Sequence, residues 1–154
     1  MDIKDYTNDA VALLKELIAI PSISRDERRA ADRLSQYLDM YNLPHGREGN
    51  NLWVGCPDWD NNRPTVMLNA HIDTVKPVSS WTRDPFTATQ EGDTIYGLGA
   101  NDCGGGLVAL LQTYRIMLHR QRNYNLLWVA SAEEEVSGEN GFSRVIHQLP
   151  PITT

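Results

Sequence analysis

Cysteine is scarce in this sequence: only Cys56 and Cys103 occur in 154 residues. They form no C-x-x-C pair and no disulfide framework. This excludes a cysteine-built zinc module and predicts a reducing, cytoplasmic setting. Surplus positive charge is also missing. With 14 Lys+Arg against 20 Asp+Glu, the formal net charge is −6, which excludes the basic face that a nucleic-acid partner needs. Long apolar runs are absent as well. The best candidate, Val11 to Ile20, is broken by Lys15 and Glu16, so no membrane span is expected. The start Met1-Asp2-Ile3-Lys4-Asp5 is acidic where a secretion signal is basic, and none is expected. No internal repeat and no low-complexity linker interrupts the chain.

What remains is a chain with 41% hydrophobic content, enough for one domain with its own core. Thr7 or Asn8 can cap a first helix whose apolar face is Val11, Leu14, Leu17 and Ile18, and Pro21 stops it. Ser24 and Glu27 have capping-box spacing ahead of a second helix through Ala30, Leu34, Tyr37 and Leu38. Asn51 to Gly55 reads as a short strand, and Thr65 to Ala70 as a strand of the type buried on both faces. Phe86 to Thr89 and Thr94 to Tyr96 predict a hairpin around Glu91-Gly92-Asp93. Leu107, Leu110, Leu111, Tyr114 and Leu118 then follow a helical period, and Asn125 to Ala130 reads as a second buried strand. A last helix carries Phe142, Val145, Ile146 and Leu149 and ends at Pro150-Pro151. Alternating strands and helices predict an α/β layer structure with a mainly parallel sheet, whose ligands bind beyond the carboxyl ends of the strands.

Three groups fall at that rim. His71-Ile72-Asp73 follows the first buried strand. Residues two apart in extended chain point the same way, so Asp73 can fix the His71 tautomer and leave the other ring nitrogen for a metal. The plainer alternative is a satisfied loop histidine. Glu133-Glu134-Glu135 follows the second buried strand. Such a run is usually a solvated face, yet adjacent side chains diverge, so one carboxylate can bind metal while its neighbour faces a reacting water. Asp102 stands before Gly104-Gly105-Gly106 at a helix start, either as a cap or as a ligand. The glycines are no phosphate loop, since no Lys-Ser/Thr follows. His45, His119 and His147 read as surface or cap residues, and Trp81 as the tryptophan nearest the pocket side. Together, His and carboxylate donors without a thiolate set suit zinc, cobalt or manganese, with one Asp shared by two metals.

On these motifs the chain resembles the acetylornithine deacetylase, succinyl-diaminopimelate desuccinylase and aminoacylase family of dinuclear zinc hydrolases. His71-Ile72-Asp73-Thr74-Val75 is similar to the family's His-x-Asp motif, Gly97-Leu98-Gly99-Ala100-Asn101-Asp102 to its bridging-aspartate motif, and Glu133-Glu134-Glu135 to its acidic motif. Trp81 to Thr87 together with Tyr96 to Gly99 most resembles acetylornithine deacetylases.

The resemblance implies a three-layer zinc-peptidase-like catalytic domain binding two Zn²⁺, with Co²⁺ or Mn²⁺ as substitutes. It implies His71 on the first metal, Asp102 bridging both and Glu135 on the second. Glu134 would be the general base and Asp73 the group orienting His71. Glu133 would either support that pair or merely precede it. A cis peptide is implied after the aspartate, at Asp102-Cys103. The expected substrate is a small N-acyl amino acid, with N-succinyl-diaminopimelate or a small peptide as alternatives.

Each family metal takes one further protein ligand, and residues 136 to 154 show no motif for either. The lid (dimerisation) domain is not recognisable either. Residues 1–154 are therefore expected to be the N-terminal portion of the catalytic domain. The full-length relative is expected to be a homodimer, and a complementing C-terminal half is a possible partner. Alone, the chain is expected to bind zinc weakly and hydrolyse little. The competing expectation is a non-catalytic product that binds a partner.

Overall fold

The order of the helices and strands is set by where carboxylates and glycines interrupt the apolar stripes. A computed structural model describes residues 2–153. Helix α1 (Ile3–Ile18) begins earlier than Thr7 or Asn8, because Asp2 and Asp5 form a reciprocal capping box across its first turn. The Asp2 carboxylate accepts the Asp5 amide at 2.9 Å, and the Asp5 carboxylate accepts the Asp2 amide at 2.9 Å. Helix α2 (Arg28–Met40) starts without the expected Ser24 cap. The Ser24 hydroxyl instead donates to Asp73 Oδ2 at 2.7 Å. Glu27, fully buried, accepts the Arg25 amide at 2.6 Å and the Asn50 side-chain amide at 2.9 Å. A stronger, charged acceptor at the rim takes the serine away from the helix.

Strands β1 (Gly46–Glu48), β2 (Asn51–Gly55), β3 (Thr65–His71) and β6 (Asn125–Ser131) form a four-stranded sheet in the order β1-β2-β6-β3. The sheet is mixed rather than mainly parallel among the described residues. β3 and β6 run parallel, joined through helix α3 (Gly106–Met117), whereas the β1-β2 hairpin lies antiparallel on β6. The tight turn Gly49-Asn50 dictates that antiparallel pair. Strands β4 (Thr89–Glu91) and β5 (Thr94–Tyr96) make the expected separate hairpin, with the first strand starting at Thr89 rather than Phe86. Helix α4 (Phe142–Val145) is a single turn, shorter than its apolar spacing suggested.

Helices α1 to α3 cover one sheet face, where Leu14, Leu34, Leu111 and Tyr114 pack on Leu52, Trp128 and Ala130. On the other face Leu127 and Val129 meet Leu149, Phe142 and Met67. These are three layers, and β6, buried at every residue, is their centre. The register pairs His71 with Ser131, so the carboxyl ends of β3 and β6 finish side by side. That alignment brings the three motif groups to one rim. Among the described residues no helix is long and apolar enough to cross a membrane.

Candidate metal centre

His71 leaves β3 buried, with its side chain 9% exposed. Its Nδ1 faces the Asp73 main-chain oxygen at 2.9 Å and the Asp73 carboxylate at 3.4 Å. The sequence suggested the carboxylate alone; the carbonyl is the nearer acceptor. Its Nε2 faces Asp102 Oδ1 at 3.1 Å and Glu134 Oε2 at 3.8 Å. With oxygens on both nitrogens, the imidazole is pushed up to about 10, first by the Asp73 side chain, against desolvation, and then by Asp102.

Asp73 is the joint of the site. Its carboxylate is fully buried and accepts the Glu134 amide at 3.0 Å, the Glu135 amide at 3.2 Å and the Ser24 hydroxyl at 2.7 Å. Burial pushes this carboxyl up, but the bonds from His71, Ser24 and the two amides outweigh it and hold it below the usual carboxylate range. Ser24 was missed because its spacing to Glu27 already had a local explanation. Only the chain crossing at Ile23 and Thr74, which form a parallel bridge, reveals its role.

Asp102 is not a helix cap. It sits inside a π-type turn (Ala100–Gly105) with non-helical backbone, and α3 begins four residues later without a side-chain cap. The expected cis peptide is present at Asp102-Cys103. Its carboxylate, with a side chain 74% exposed, reaches out of the rim toward His71. Gly99 and Gly104 make this turn possible. Gly99 has φ +75°, and a Cβ on Gly104 would lie 2.6 Å from the Gly99 carbonyl oxygen.

The acidic run separates as its diverging side chains require. Glu133 is buried in left-handed backbone, and its carboxylate accepts the Asn140 amide at 3.3 Å and the Asn140 side chain at 3.0 Å. It holds the following loop and does not face the metal donors. Glu134 is exposed toward His71 Nε2. Glu135 is half-buried beside them, its carboxyl pushed up by burial and then by the negative charge of Asp102. Glu135 also lines a groove of about 460 Å³ with Ile23, Arg25, Val75, Lys76 and Val136.

Cys103, which the sequence reading passed over as a ligand, belongs to the constellation. Donor atoms of His71, Asp102 and Cys103 lie within 4.8 Å of one another. The remaining histidines stay apart from it. His45 is not a surface residue but is held between the Ser35 hydroxyl at 2.7 Å and the Leu43 carbonyl at 3.0 Å, while His119 and His147 are exposed. Phe86, rather than Trp81, lines the water-sized cavity of about 20 Å³ beneath His71. A buried imidazole with one nitrogen fixed and the other facing the carboxylates of Asp102 and Glu134 is a donor set that suits a divalent cation.

Comparison with known proteins agrees with this chemistry. Residues 67–152 match peptidase family M20/M25/M40. A succinyl-diaminopimelate desuccinylase of Coxiella burnetii is 30% identical over 152 residues, which cover 92% of this chain and 39% of that protein. An M20 family metallo-carboxypeptidase from Sulfolobus solfataricus aligns with a TM-score of 0.67 and 26% identity, over 88% of this chain and 32% of that one. A dinuclear metal binding peptidase of the M20 family from Bacillus subtilis aligns with a TM-score of 0.67 and 17% identity, over 94% of this chain and 40% of that one. The chain thus spans less than half the length of each of these relatives.

Proposed function

Because this chain belongs to peptidase family M20/M25/M40, we propose that it carries the metal-binding core of a hydrolase that removes an acyl group from an N-acyl amino acid. The observation that carries this reading is the meeting of His71 Nε2, Asp102 Oδ1 and Glu134 Oε2 at the aligned ends of two parallel strands, at 3.1 and 3.8 Å from the imidazole nitrogen. His71 would hold the first metal, Asp102 would be shared by both and Glu135 would hold the second; zinc is the favoured ion, with Co²⁺ or Mn²⁺ as substitutes. When bound, two such cations activate a water and polarise the scissile carbonyl. Asp73 keeps the His71 ring in one orientation and ties the Glu134-Glu135 turn to it. Glu134, exposed at the rim beside His71, takes a proton from the attacking water and returns it to the leaving amine nitrogen. Residues 1–154 serve as the N-terminal portion of the catalytic domain. The further ligand for each metal, the lid and its dimer contact come from elements outside them, in cis or as a complementing half.

For the acyl group, the motif around Trp81 to Gly99 favours acetyl on ornithine. A second reading, N-succinyl-diaminopimelate, has its own support. The groove beside Glu135 is lined by Arg25 and Lys76, two cations suited to an acidic acyl chain, and the Coxiella relative is named as a desuccinylase.

The test supplies this chain with the C-terminal portion of such a hydrolase and measures metal-dependent release of acetate or succinate from the two substrates. Glu134→Gln should lower turnover by roughly 10²–10⁴ while metal binding persists. A Glu134→Gln protein with undiminished turnover, or hydrolysis that survives complete chelation, overturns the reading.

A further inference from the structure

We infer that Cys103 is a third protein donor to the first metal, making that position a His-Asp-thiolate site. This rests on the metal-binding reading above but concerns a residue that it does not use. The His71, Asp102 and Cys103 donor atoms lie within 4.8 Å of one another, and among the described residues no other group of three His, Cys, Asp or Glu donors is so close. A cation at the centre of such a triangle reaches all three with small side-chain rotations, since zinc bonds to nitrogen or oxygen run about 2.0–2.2 Å and to sulfur about 2.3 Å.

The local sequence places the thiol there. Gly106 has no side chain, and a Cβ at that position would come within 3.3 Å of Cys103 Sγ, so the glycine leaves the sulfur room against the first turn of α3. Binding is then an exchange: the Cys103 S–H bond breaks, a sulfur-metal bond forms, and the proton leaves to solvent. A thiolate among the donors biases the position toward Zn²⁺ and Co²⁺ and against Mn²⁺ and Mg²⁺.

The contrary reading is that Cys103 is only a wall of the small cavity beneath His71, which it lines together with Leu14 and Leu107. Co²⁺ titration of the whole chain, followed by absorption spectroscopy, separates the two. A thiolate-to-cobalt charge-transfer band in the near ultraviolet is expected, retained in Cys56→Ser and lost in Cys103→Ser, with cobalt affinity in the latter weaker by roughly ten- to hundredfold. Cobalt binding with visible ligand-field bands and no charge-transfer band overturns the Cys103 assignment and leaves the metal site standing. No cobalt binding at all by the folded wild-type chain overturns both.

A second measurement needs no variant. Zn²⁺ should slow iodoacetamide alkylation of Cys103, located by peptide mass spectrometry. Equal alkylation with and without bound zinc overturns the proposal.

Discussion

Asp73 Oδ1 accepts the backbone N–H of Glu134 at 3.0 Å, joining the end of β3 to the turn that follows β6. The same carboxylate takes the Glu135 amide and faces His71, so the imidazole and the acidic turn cannot move independently. Asp73→Asn keeps the volume but presents an NH₂ group where a main-chain N–H or the ring now finds an acceptor. Leaving one buried donor unpaired should destabilise the fold by about 1–3 kcal/mol. Metal affinity should fall by roughly 10–100-fold. Denaturant unfolding and metal titration of the variant check the two effects separately. Unchanged affinity would remove Asp73 from the orienting role.

Ser24→Ala tests which partner the serine serves. As a helix cap, its loss would lower the helicity of α2; as a donor to Asp73 at 2.7 Å, its loss acts at the rim. The expected result is unchanged far-ultraviolet circular dichroism with a stability loss of about 0.5–1.5 kcal/mol. Metal affinity should weaken in the same direction as for Asp73→Asn, but less.

Most of the layer structure was legible because burial repeats with the period of each element. The boundaries of β2 match the sequence reading, and β3 and β6 each run one residue past it, to His71 and Ser131. His71 and the acidic run fall at the strand ends as expected, whereas Asp102 stands four residues ahead of α3, inside the turn Ala100–Gly105. The helix starts were misread for a common reason: local capping signals compete. The reciprocal Asp2-Asp5 pair starts α1 before Thr7, whose hydroxyl donates to the Ile3 carbonyl at 2.9 Å, and a distant carboxylate claims Ser24. The antiparallel β1-β2 pair was missed because three-residue β1 carries no period of its own. The joining of Cys103 to His71 depends on the path of the turn after Gly99, which one-dimensional spacing does not encode.

Gly104→Ala should disturb the site more than the fold at large. Its Cβ would stand 2.6 Å from the Gly99 carbonyl oxygen and 2.9 Å from Leu14 Cδ1. The carbonyl also accepts the Gly104 amide at 2.8 Å, so it cannot retreat without opening the turn that carries Asp102. Overpacking of this kind costs about 1–3 kcal/mol, and cobalt affinity should fall with it. Gly92→Ala is the control. It has φ +58° in the β4-β5 hairpin with nothing within 4 Å of the added carbon, so it should lose stability from backbone conformation alone, about 1 kcal/mol, and keep its cobalt affinity. Equal affinity losses in both variants would mean that the turn does not position Asp102.

The helical layer carries its own pH dependence, away from the metal donors. Tyr41 donates its hydroxyl to Asp9 Oδ2 at 2.6 Å, and Arg115 Nη1 meets the same oxygen at 3.0 Å. Burial first, and then the Asp9 hydrogen bond, push the Tyr41 phenol from 10.0 up to about 12. Between those values the unfolded chain has lost this proton while the folded chain keeps it, so folding there requires proton uptake. The stabilisation is complete below pH 10.0 and is lost as pH rises toward about 12. Burial also pushes the Tyr114 phenol up, adding a slope of the same sign. Urea unfolding at several alkaline pH values should show stability falling through this window. Tyr41→Phe, which has no proton to lose, should make that slope shallower without abolishing it, because Tyr114 remains. A Tyr41→Phe chain with the wild-type slope would show that the phenol at the α1–α3 junction does not hold its proton as the geometry requires.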